Sequence, residues 1–260
     1  MDDPQLYRLA RDLLEKECTF FAARSATGRV ARWPGVVMSV CLQRPSAPSS
    51  IGYFLKTPDD LFGNYDVIAE TYDGAGARAW TVWTDAGDSS SGPSLVARGH
   101  KPDGEPIAMA APIANPALPD PGVLDWSSTS DIGIIGRVND AAYGFPPPAF
   151  EASLTRWADP RWHGFVARLG GNGVGVMTAY EGENGDGGIS AVATLPEARS
   201  HGVATRLMAV ALRESQQRGC KTTSLQASPL GSKVYASLGY RNLGVMGMWE
   251  HRKPSPGTSP

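Results

Sequence analysis

The sequence is poor in the features that define several large classes of protein. Its 260 residues include only three cysteines, Cys18, Cys41 and Cys220, which are odd in number and far apart. This pattern favours buried free thiols in a reducing cytoplasm over a disulfide framework. The four histidines show no spacing typical of metal ligands, so no metal site is expected.

Charge and hydropathy exclude further classes. A formal net charge of −2 lacks the basic excess of a general nucleic-acid binder. There is no run of 18 apolar residues, so no membrane span is expected. The acidic start, Met1 to Pro4, lacks the apolar core of a signal peptide. With 42% hydrophobic and 19% charged residues, the chain can bury ordinary cores, and we expect a cytoplasmic globular protein.

The length and one proline-rich stretch predict two domains. A chain of 260 residues exceeds the usual size of a single domain. Between Asn115 and Gly122, three prolines and a glycine occur in eight residues, which is typical of a linker. We therefore predict a domain over 1–114, a linker over 115–124, a second domain over 125–252 and a disordered tail over 253–260.

Periodicity predicts mixed helices and strands in the first domain. An amphipathic helix opens the chain, with apolar residues at helical spacing: Leu6, Leu9, Ala10, Leu13, Leu14 and Cys18. Further predicted elements are strands over 36–42, 51–55, 78–83 and 106–111, a helix over 57–74 and a short helix that ends near Gly99. The strand over 106–111 is predicted to close this half.

The second domain is predicted to follow a different order. It begins with helices over 131–143 and 150–157, followed by a hairpin of strands 164–169 and 174–180 and a strand over 189–194. A long helix over 202–218, a strand over 222–227, a short helix over 229–238 and a final strand pair ending near His251 complete it.

The segment from Ile189 to Arg213 combines a strand, a turn and the start of the long helix. A loop that arrives at a helix N-terminus presents unpaired backbone N–H groups, and the helix dipole there favours negative charge. Gly202 and Ala204 allow close approach to the backbone, and Arg199 adds a permanent cation. The pattern predicts an anion pocket, and the alternative is an ordinary turn with a basic loop.

These residues resemble a known family. Arg199-x-x-Gly202-x-Ala204 resembles the pyrophosphate-binding motif of the GNAT superfamily of acyl-CoA-dependent N-acyltransferases. The segment Thr194–Arg199 is similar to the family's Val-x-Pro-Glu-x-Arg, and the segment Ala227–Tyr240 is similar to its Ala-x-x-Leu-Tyr-x-x-x-Gly-Phe. The resemblance implies an α/β (α+β) fold with a mixed, splayed sheet flanked by helices. A smaller α/β domain would precede it, as a degenerate GNAT-like half in a tandem arrangement without its own CoA-binding loop.

The resemblance also implies acetyl-CoA as co-substrate and a set of site residues. Tyr235 would protonate the departing thiolate. Ser228 could orient a water or the thiol, although a helix cap before Pro229 is the alternative. The residues that would hold the acyl donor are Val192, Ala193, Thr194, Arg199, Ser200, His201, Gly202, Val203, Ala204 and Thr205.

Two departures from the family pattern concern the loop and the general base. Ser200 replaces a common glycine, and His201 replaces a common basic residue. The strand before the loop carries no Glu or Asp where many relatives keep a base. A chain of waters, or an amine that binds already neutral, would then account for deprotonation.

Three functions are compatible with these residues. The first is transfer of an acetyl group from acetyl-CoA to a primary amine of a small molecule, by direct attack, because no cysteine lies in the motif. The second is a CoA-binding sensor without turnover, suggested by the missing base. The third is an acetyltransferase for protein lysines or N-termini. The acceptor and the oligomeric state stay open.

The aromatic residues of the first domain have two possible roles. They could line one wall of the acceptor pocket, or they could belong to the core, as aromatic residues in strands commonly do. The residues concerned are Trp33, Tyr53, Phe54, Trp80 and Trp83.

Overall fold

The structure is a computed structural model that describes residues 1–25, 28–41, 50–54, 58–113, 120, 122–145 and 159–253. Its helices are α1 (Asp3–Arg24), α2 (Pro58–Phe62), α3 (Tyr65–Gly74), α4 (Ser91–Val96), α5 (Ile132–Tyr143), α6 (Val203–Gln217) and α7 (Ser232–Ser237). Its strands are β1 (Arg29–Trp33), β2 (Val36–Val40), β3 (Ser50–Phe54), β4 (Ala79–Thr84), β5 (His100–Gly104), β6 (Ile107–Pro112), β7 (Asp125–Thr129), β8 (Trp162–Leu169), β9 (Asn172–Glu181), β10 (Gly187–Thr194), β11 (Thr222–Ala227), β12 (Arg241–Val245) and β13 (Gly247–Arg252). None of these helices has both the length and the apolar character needed to cross a bilayer.

The first half of the chain builds a six-stranded sheet in the order β1-β2-β3-β4-β13-β5. Strands β1, β2 and β3 are antiparallel, whereas β3 and β4 run parallel. Helix α3 packs on this sheet through buried Ile68 and Tyr72, and the Tyr72 ring stacks on Trp80 with ring centroids 4.6 Å apart. The six strands and α3 therefore enclose a core of their own.

The second half builds a sheet in two parts. Strands β10-β9-β8-β7 form an antiparallel group, and β11-β6-β12 form a second group. The β8–β9 hairpin turns through Gly170 and Gly171, with φ of +55° and +82°, as a tight hairpin turn of primed type requires. A single parallel bridge, Asp186 to Thr222, links β10 and β11 in the described part of the chain. The sheet therefore splays open between these two strands.

The two halves exchange strands. Strand β6 belongs to the first half in sequence, yet it lies between β11 and β12 and pairs antiparallel with both. Strand β13 lies near the end of the chain, yet it inserts between β4 and β5 of the first sheet. Each sheet is therefore completed by a strand from the other half.

Helix α1 packs against both halves. Asp2 and Gln5 form a reciprocal capping box at its start, with Gln5 N–H to Asp2 Oδ1 at 2.8 Å. Phe20 stacks on Trp162 of the second half, with ring centroids 4.2 Å apart. Residues Leu14 and Cys18 pack in a cluster with Trp83 and Met246. The helix therefore bridges the first sheet and the splayed sheet.

A buried histidine lies where β13 enters the first sheet. His100 is 2% exposed, and its Nδ1 lies 3.0 Å from the Trp249 carbonyl oxygen. A carbonyl can only accept, so Nδ1 carries the proton and Nε2 accepts from the Tyr65 hydroxyl at 2.7 Å. The pKa of His100 is lowered to about 4, mainly by burial, with smaller lowering effects from His251 and Arg98 and an opposing effect from the Trp249 hydrogen bond. This histidine is therefore neutral in the folded protein at pH 7.

The secondary structure agrees with most of the local predictions. The opening helix buries every predicted apolar residue, and the three cysteines are buried and free. The predicted helix over 57–74 is instead two helices, α2 and α3, which are separated at Gly63 and Asn64. The sequence also did not predict β1, β5 and β7.

Two predictions of strand pairing were wrong. The strand over 106–111 does not close the first half, because β6 pairs in the second sheet. The final two strands are not paired with each other, since β12 and β13 lie in different sheets. The predicted helix over 150–157, most of the linker and the tail from residue 254 lie outside the described residues. The boundaries of the two domains stay a prediction.

Candidate functional site

The loop before α6 presents a row of free backbone donors. Gly202 is the residue before the helix, with φ +72°, and Ser200 also has a left-handed φ of +64°. Within the described part of the chain, the backbone N–H groups of residues 200–205 donate no hydrogen bond. Successive N–H groups form a concave anion-binding surface when neighbouring residues alternate between right-handed and left-handed backbone conformations. The dipole of α6 also favours negative charge there. The positive φ of Ser200 explains why relatives place a glycine here.

Close packing holds the start of α6 against the sheet. A Cβ added to Gly175 of β9 would lie 2.7 Å from Val203 Cγ1, so only glycine permits this approach. Val203 is 3% exposed, whereas Ser200, His201 and Gly202 are exposed. Ala204 and Thr205 follow in the first turn and are half-buried. The free N–H groups therefore face solvent on a rigid support.

The Arg199 side chain donates hydrogen bonds to two backbone carbonyls. Its Nη2 donates to the Ala142 carbonyl at 2.7 Å, and its Nε donates to the Thr194 carbonyl at 3.3 Å. These bonds tie the loop to the last turn of α5 and to the end of β10. Its predicted contact with a phosphate stays a prediction.

Arg206 is a second cation at the loop, which sequence reasoning missed. It is exposed in the first turn of α6. Its Nε lies 3.7 Å from the point where a Cβ would lie if one were added to Gly202. The signal available in the sequence was its place four residues after Gly202, one helical turn along the same face.

Strand β10 turns an open edge toward the splay. The β9–β10 register shifts between Ser190 and Ala193, and Ala191 in this bulge has φ +50°. The Leu195 N–H donates to the Val174 carbonyl of β9. Backbone groups point alternately to the two sides of a strand, so those of Val192 and Thr194 point away from β9, toward the gap between β10 and β11. The resemblance predicts that the pantetheine arm pairs with Val192, Ala193 and Thr194 along this edge. The backbone groups of Ala193 face β9.

Tyr143 contacts this open edge and was also missed. Its hydroxyl donates to the Val192 carbonyl at 3.1 Å. Burial raises the pKa of this hydroxyl, Arg199 lowers it and Glu17 raises it. The sequence placed Tyr143 at the end of the helix over 131–143 without assigning it a role.

Tyr235 and Ser228 lie after β11, on the other side of the splay. The Tyr235 ring is partly buried beside Tyr240, with centroids 5.8 Å apart, and burial followed by the proximity of Tyr143 raises its pKa. No residue that the structure describes hydrogen-bonds its hydroxyl. The Ser228 Oγ accepts from the Gly231 N–H at 3.1 Å, which is a turn-capping contact.

A cavity of about 290 Å³ opens where β10 separates from β11. Ser190 and Ala191 line it from β10, Gln226 from β11, and Trp83 from the first sheet. Trp83, one of the aromatic residues considered for the pocket wall, lines this cavity and also packs in the cluster with Leu14 and Met246. Trp80 belongs to the core of the first half, Trp33 packs against that core, and the side chains of Tyr53 and Phe54 lie outside the described residues.

The free N–H row, the open edge of β10 and a protonated phenol together suit an extended ligand with a phosphate at one end. Among the described residues, no group of three or more His, Cys, Asp or Glu is arranged to hold a metal ion.

Part of the chain matches a known family, and its fold is similar to that of known structures. Residues 134–240 match the model of the acetyltransferase (GNAT) family. A GCN5-related N-acetyltransferase from Kribbella flavida has a similar structure, with a TM-score of 0.68 and 15% identity over 97% of this chain and 96% of that one. A GCN5-related N-acetyltransferase from Sphaerobacter thermophilus has a TM-score of 0.59, with 19% identity over 85% of this chain and 78% of that one.

A tandem GNAT protein from the clavulanic acid biosynthesis pathway is also similar, with a TM-score of 0.55 and 13% identity over 89% of this chain and 86% of that one. No curated protein matches the sequence. At these identities the similar structures show the fold, and they extend across both halves. The predicted fold class and the predicted family are confirmed: residues 134–240 form a domain of the acetyltransferase (GNAT) family.

Proposed function

We propose that the protein transfers an acetyl group from acetyl-CoA to a primary amine of a small molecule, by direct attack of the amine. The observation that carries this proposal is the continuity of three features: the free N–H groups of residues 200–205, the open edge of β10 and the Tyr235 phenol. Acetyl-CoA supplies the acetyl thioester, and its phosphates and amide-containing arm match the first two features in order.

The residues at the loop fit a pyrophosphate. The N–H groups of residues 200–205 would bind its oxygens, with the exposed Arg206 as a cation beside Gly202. Arg199 would orient the loop through its bonds to Ala142 and Thr194. Val192 and Thr194 would bind the pantetheine arm as an added strand does, and the Tyr143 hydroxyl would leave the Val192 carbonyl when that arm binds.

Tyr235 would act as the proton donor for the departing sulfur. The phenol is protonated at neutral pH even at its ordinary pKa, and burial raises that pKa further, so its O–H is present to donate a hydrogen bond to the charge that develops on sulfur. Ser228 shapes the turn that precedes α7.

Direct attack is favoured over an acetylated enzyme. Cys18 lines the cavity, but it is 7% exposed and packs in an apolar cluster with Leu14 and Trp83. Nucleophilic cysteines need electropositive, partly exposed surroundings in which the thiolate is stabilised. Attack by the bound amine itself needs no such nucleophile.

Steady-state release of CoA thiol with a panel of amines tests this function. Tyr235→Phe should lower kcat by about 10²–10⁴-fold and change the KM for acetyl-CoA little, because the lost contact belongs to the transition state. Tyr180→Phe, at a tyrosine of β9 away from the loop and from Tyr235, is the matched control and should behave as wild type. Acetyl-CoA binding without turnover of any amine would favour the sensor instead, and turnover of lysine peptides alone would favour a protein acetyltransferase.

A further inference from the structure

Strands β10 and β11 are joined at one end of the gap that separates them. The Lys221 N–H donates to the Gly185 carbonyl at 2.8 Å, and the next residues, Asp186 and Thr222, form the parallel bridge. Both strands run away from this point, and the cavity of about 290 Å³ lies further along them. We call the joined end, residues 185–187 and 221–224, the root of the gap.

The Asp186 carboxylate connects the two strands on one face of the sheet. Thr222 Oγ1 donates to its Oδ1 at 2.8 Å, and Ser224 Oγ donates to its Oδ2 at 2.5 Å. The group is 4% exposed, and burial raises its pKa against the lowering effect of these two hydrogen bonds. Hydrogen bonds to an ionised carboxylate are shorter and stronger than neutral ones. Asp186 therefore fixes two side chains of β11 at the start of β10.

Thr223 connects the strands on the opposite face, because side chains alternate along β11. Its Oγ1 donates to the Gly187 carbonyl at 2.8 Å and also lies 2.8 Å from the Tyr240 hydroxyl oxygen. A carbonyl can only accept, so the Thr223 proton goes to Gly187 and the Tyr240 hydroxyl donates to Thr223. The Tyr240 ring packs beside Tyr235, with centroids 5.8 Å apart. The root is therefore in contact, through Tyr240, with the proposed proton donor.

Two glycines let helices pack closely on both faces of the root. A Cβ added to Gly187 would lie 2.9 Å from Ser215 Cβ of α6. A Cβ added to Gly188 would overlap the side chain of Leu13 on α1. Helix α6 carries the free N–H groups at its other end, so the root is fixed relative to the helix that presents the loop.

We propose that Asp186 is a positioning residue for acetyl transfer, which fixes the width of the gap that receives the pantetheine arm and so the distance from that arm to Tyr235. This proposal rests on the proposed function. Thr194, on the open edge of β10, lies eight residues beyond Asp186, or about 20–25 Å along the strand. A rotation of about 3° at the root therefore moves this edge by about 1 Å, and a misplacement of that size can lower a rate about 10²-fold.

Calorimetry with acetyl-CoA and ADP tests the effect on binding. Asp186→Ala removes both hydroxyl bonds at the root but leaves the N–H groups of residues 200–205 in place. ADP carries the pyrophosphate of acetyl-CoA without its arm. The Kd of acetyl-CoA should rise about tenfold, because the arm no longer meets the strand edge at the right distance, whereas the Kd of ADP should change less than about twofold.

Kinetics with the amine that wild type acetylates fastest in the panel test the effect on the reaction. At saturating acetyl-CoA, Asp186→Ala should lower kcat about 10²-fold, because Tyr235 and the thioester lose their relative positions. Asp186→Asn keeps the size of the side chain and one acceptor oxygen, so it should recover part of both losses. Asp88→Ala is the matched control and should keep the wild-type kcat and Kd. Asp88, in the first half, also accepts from two hydroxyls, Ser90 Oγ at 2.8 Å and Ser91 Oγ at 2.5 Å.

A variant on β11 tests the same contact from the other strand. Ser224→Ala removes one of the two hydroxyl bonds and should lower kcat in the same direction, by less than Asp186→Ala. Adding Ser224→Ala to Asp186→Ala should cause little further loss, because both changes remove the same hydrogen bond. If thermal melting shows that Asp186→Ala does not fold, Ser224→Ala and Asp186→Asn provide the same comparison.

The outcomes separate this inference from the function on which it rests. Unchanged kcat and unchanged acetyl-CoA affinity in a folded Asp186→Ala overturn the positioning role. An equal loss of affinity for ADP and acetyl-CoA, or an equal loss of kcat in Asp88→Ala, also overturns it, since either indicates a general loosening of the fold. A wild type that binds acetyl-CoA but acetylates no amine overturns the proposed function, while the comparison of acetyl-CoA with ADP still tests the gap.

Discussion

The exchange of strands predicts that a substitution in the first half of the sequence destabilises the second half of the structure. Met109 is 2% exposed on β6, where it pairs with Leu225 of β11 and Asn242 of β12. Its side chain belongs to the core that includes Phe165 and Met177. We therefore expect Met109→Ala to weaken the splayed sheet.

The magnitude follows from what the substitution removes. Truncation of a buried methionine to alanine loses three heavy atoms and leaves a cavity, at a cost of about 2–5 kcal/mol. A loss of about 3 kcal/mol should lower the Tm of a protein of this size by roughly 6–12 °C. Val96→Ala, at a site that is 54% exposed on α4, is the matched control and should change the free energy of unfolding by less than about 0.5 kcal/mol.

Urea denaturation and hydrogen exchange together test this reasoning. Because each sheet needs a strand from the other half, Met109→Ala should shift one cooperative transition to lower urea concentration. Amide exchange should accelerate in β11 and β12 as well as in β6. The reasoning fails if unfolding separates into two transitions and the one for β11 and β12 keeps its wild-type midpoint.

Two further predictions concern the loop and the buried histidine. Gly202→Glu should abolish acetyl-CoA binding, as measured by calorimetry, because the new carboxylate repels the phosphates. Gly202→Asn should retain part of the binding, because asparagine tolerates the left-handed φ of this position. Unchanged affinity in Gly202→Glu would place the acetyl-CoA site elsewhere. His100 is neutral when folded and protonates below pH 6.5 when unfolded, so the free energy of unfolding should fall by about 1.4 kcal/mol per pH unit from pH 6.5 to about 4. Denaturation curves at several pH values should show that His100→Gln loses this pH dependence of the free energy of unfolding. The control His201→Gln, at an exposed site, should keep it. An equal pH dependence in His100→Gln and wild type would contradict the conclusion that His100 is neutral in the folded protein.

Features set by neighbouring residues were predictable from the sequence. The Gly202–Ala204 region follows a strand and opens a long amphipathic helix, and such a loop must expose N–H groups whatever lies around it. The hairpin through Gly170 and Gly171 was predictable for the same reason, since two glycines permit its positive φ angles. The side chain of Arg199 was less predictable, because its carbonyl partner on α5 is 57 residues away in sequence.

Pairings between distant segments could not be predicted from local patterns. The apolar run from Ile107 to Ala111 is consistent with a buried strand in either sheet, and nothing in its composition selects β11 and β12 as its neighbours. Only Met246 separates β12 from β13. From the sequence alone, two strands so close together are expected to pair with each other. Met246 is fully buried and instead directs the chain from one sheet to the other.

The first half of the chain covers part of the second half through helix α1. Removal of α1 would expose Trp162, on which Phe20 stacks, and would open the cavity along the side where Leu14 and Glu17 lie. The second half could still present its N–H groups to an acyl donor, but it would lack a wall for the acceptor. Under the proposed function, α1 would thus supply part of the acceptor pocket, and the loop at Gly202 would hold the donor.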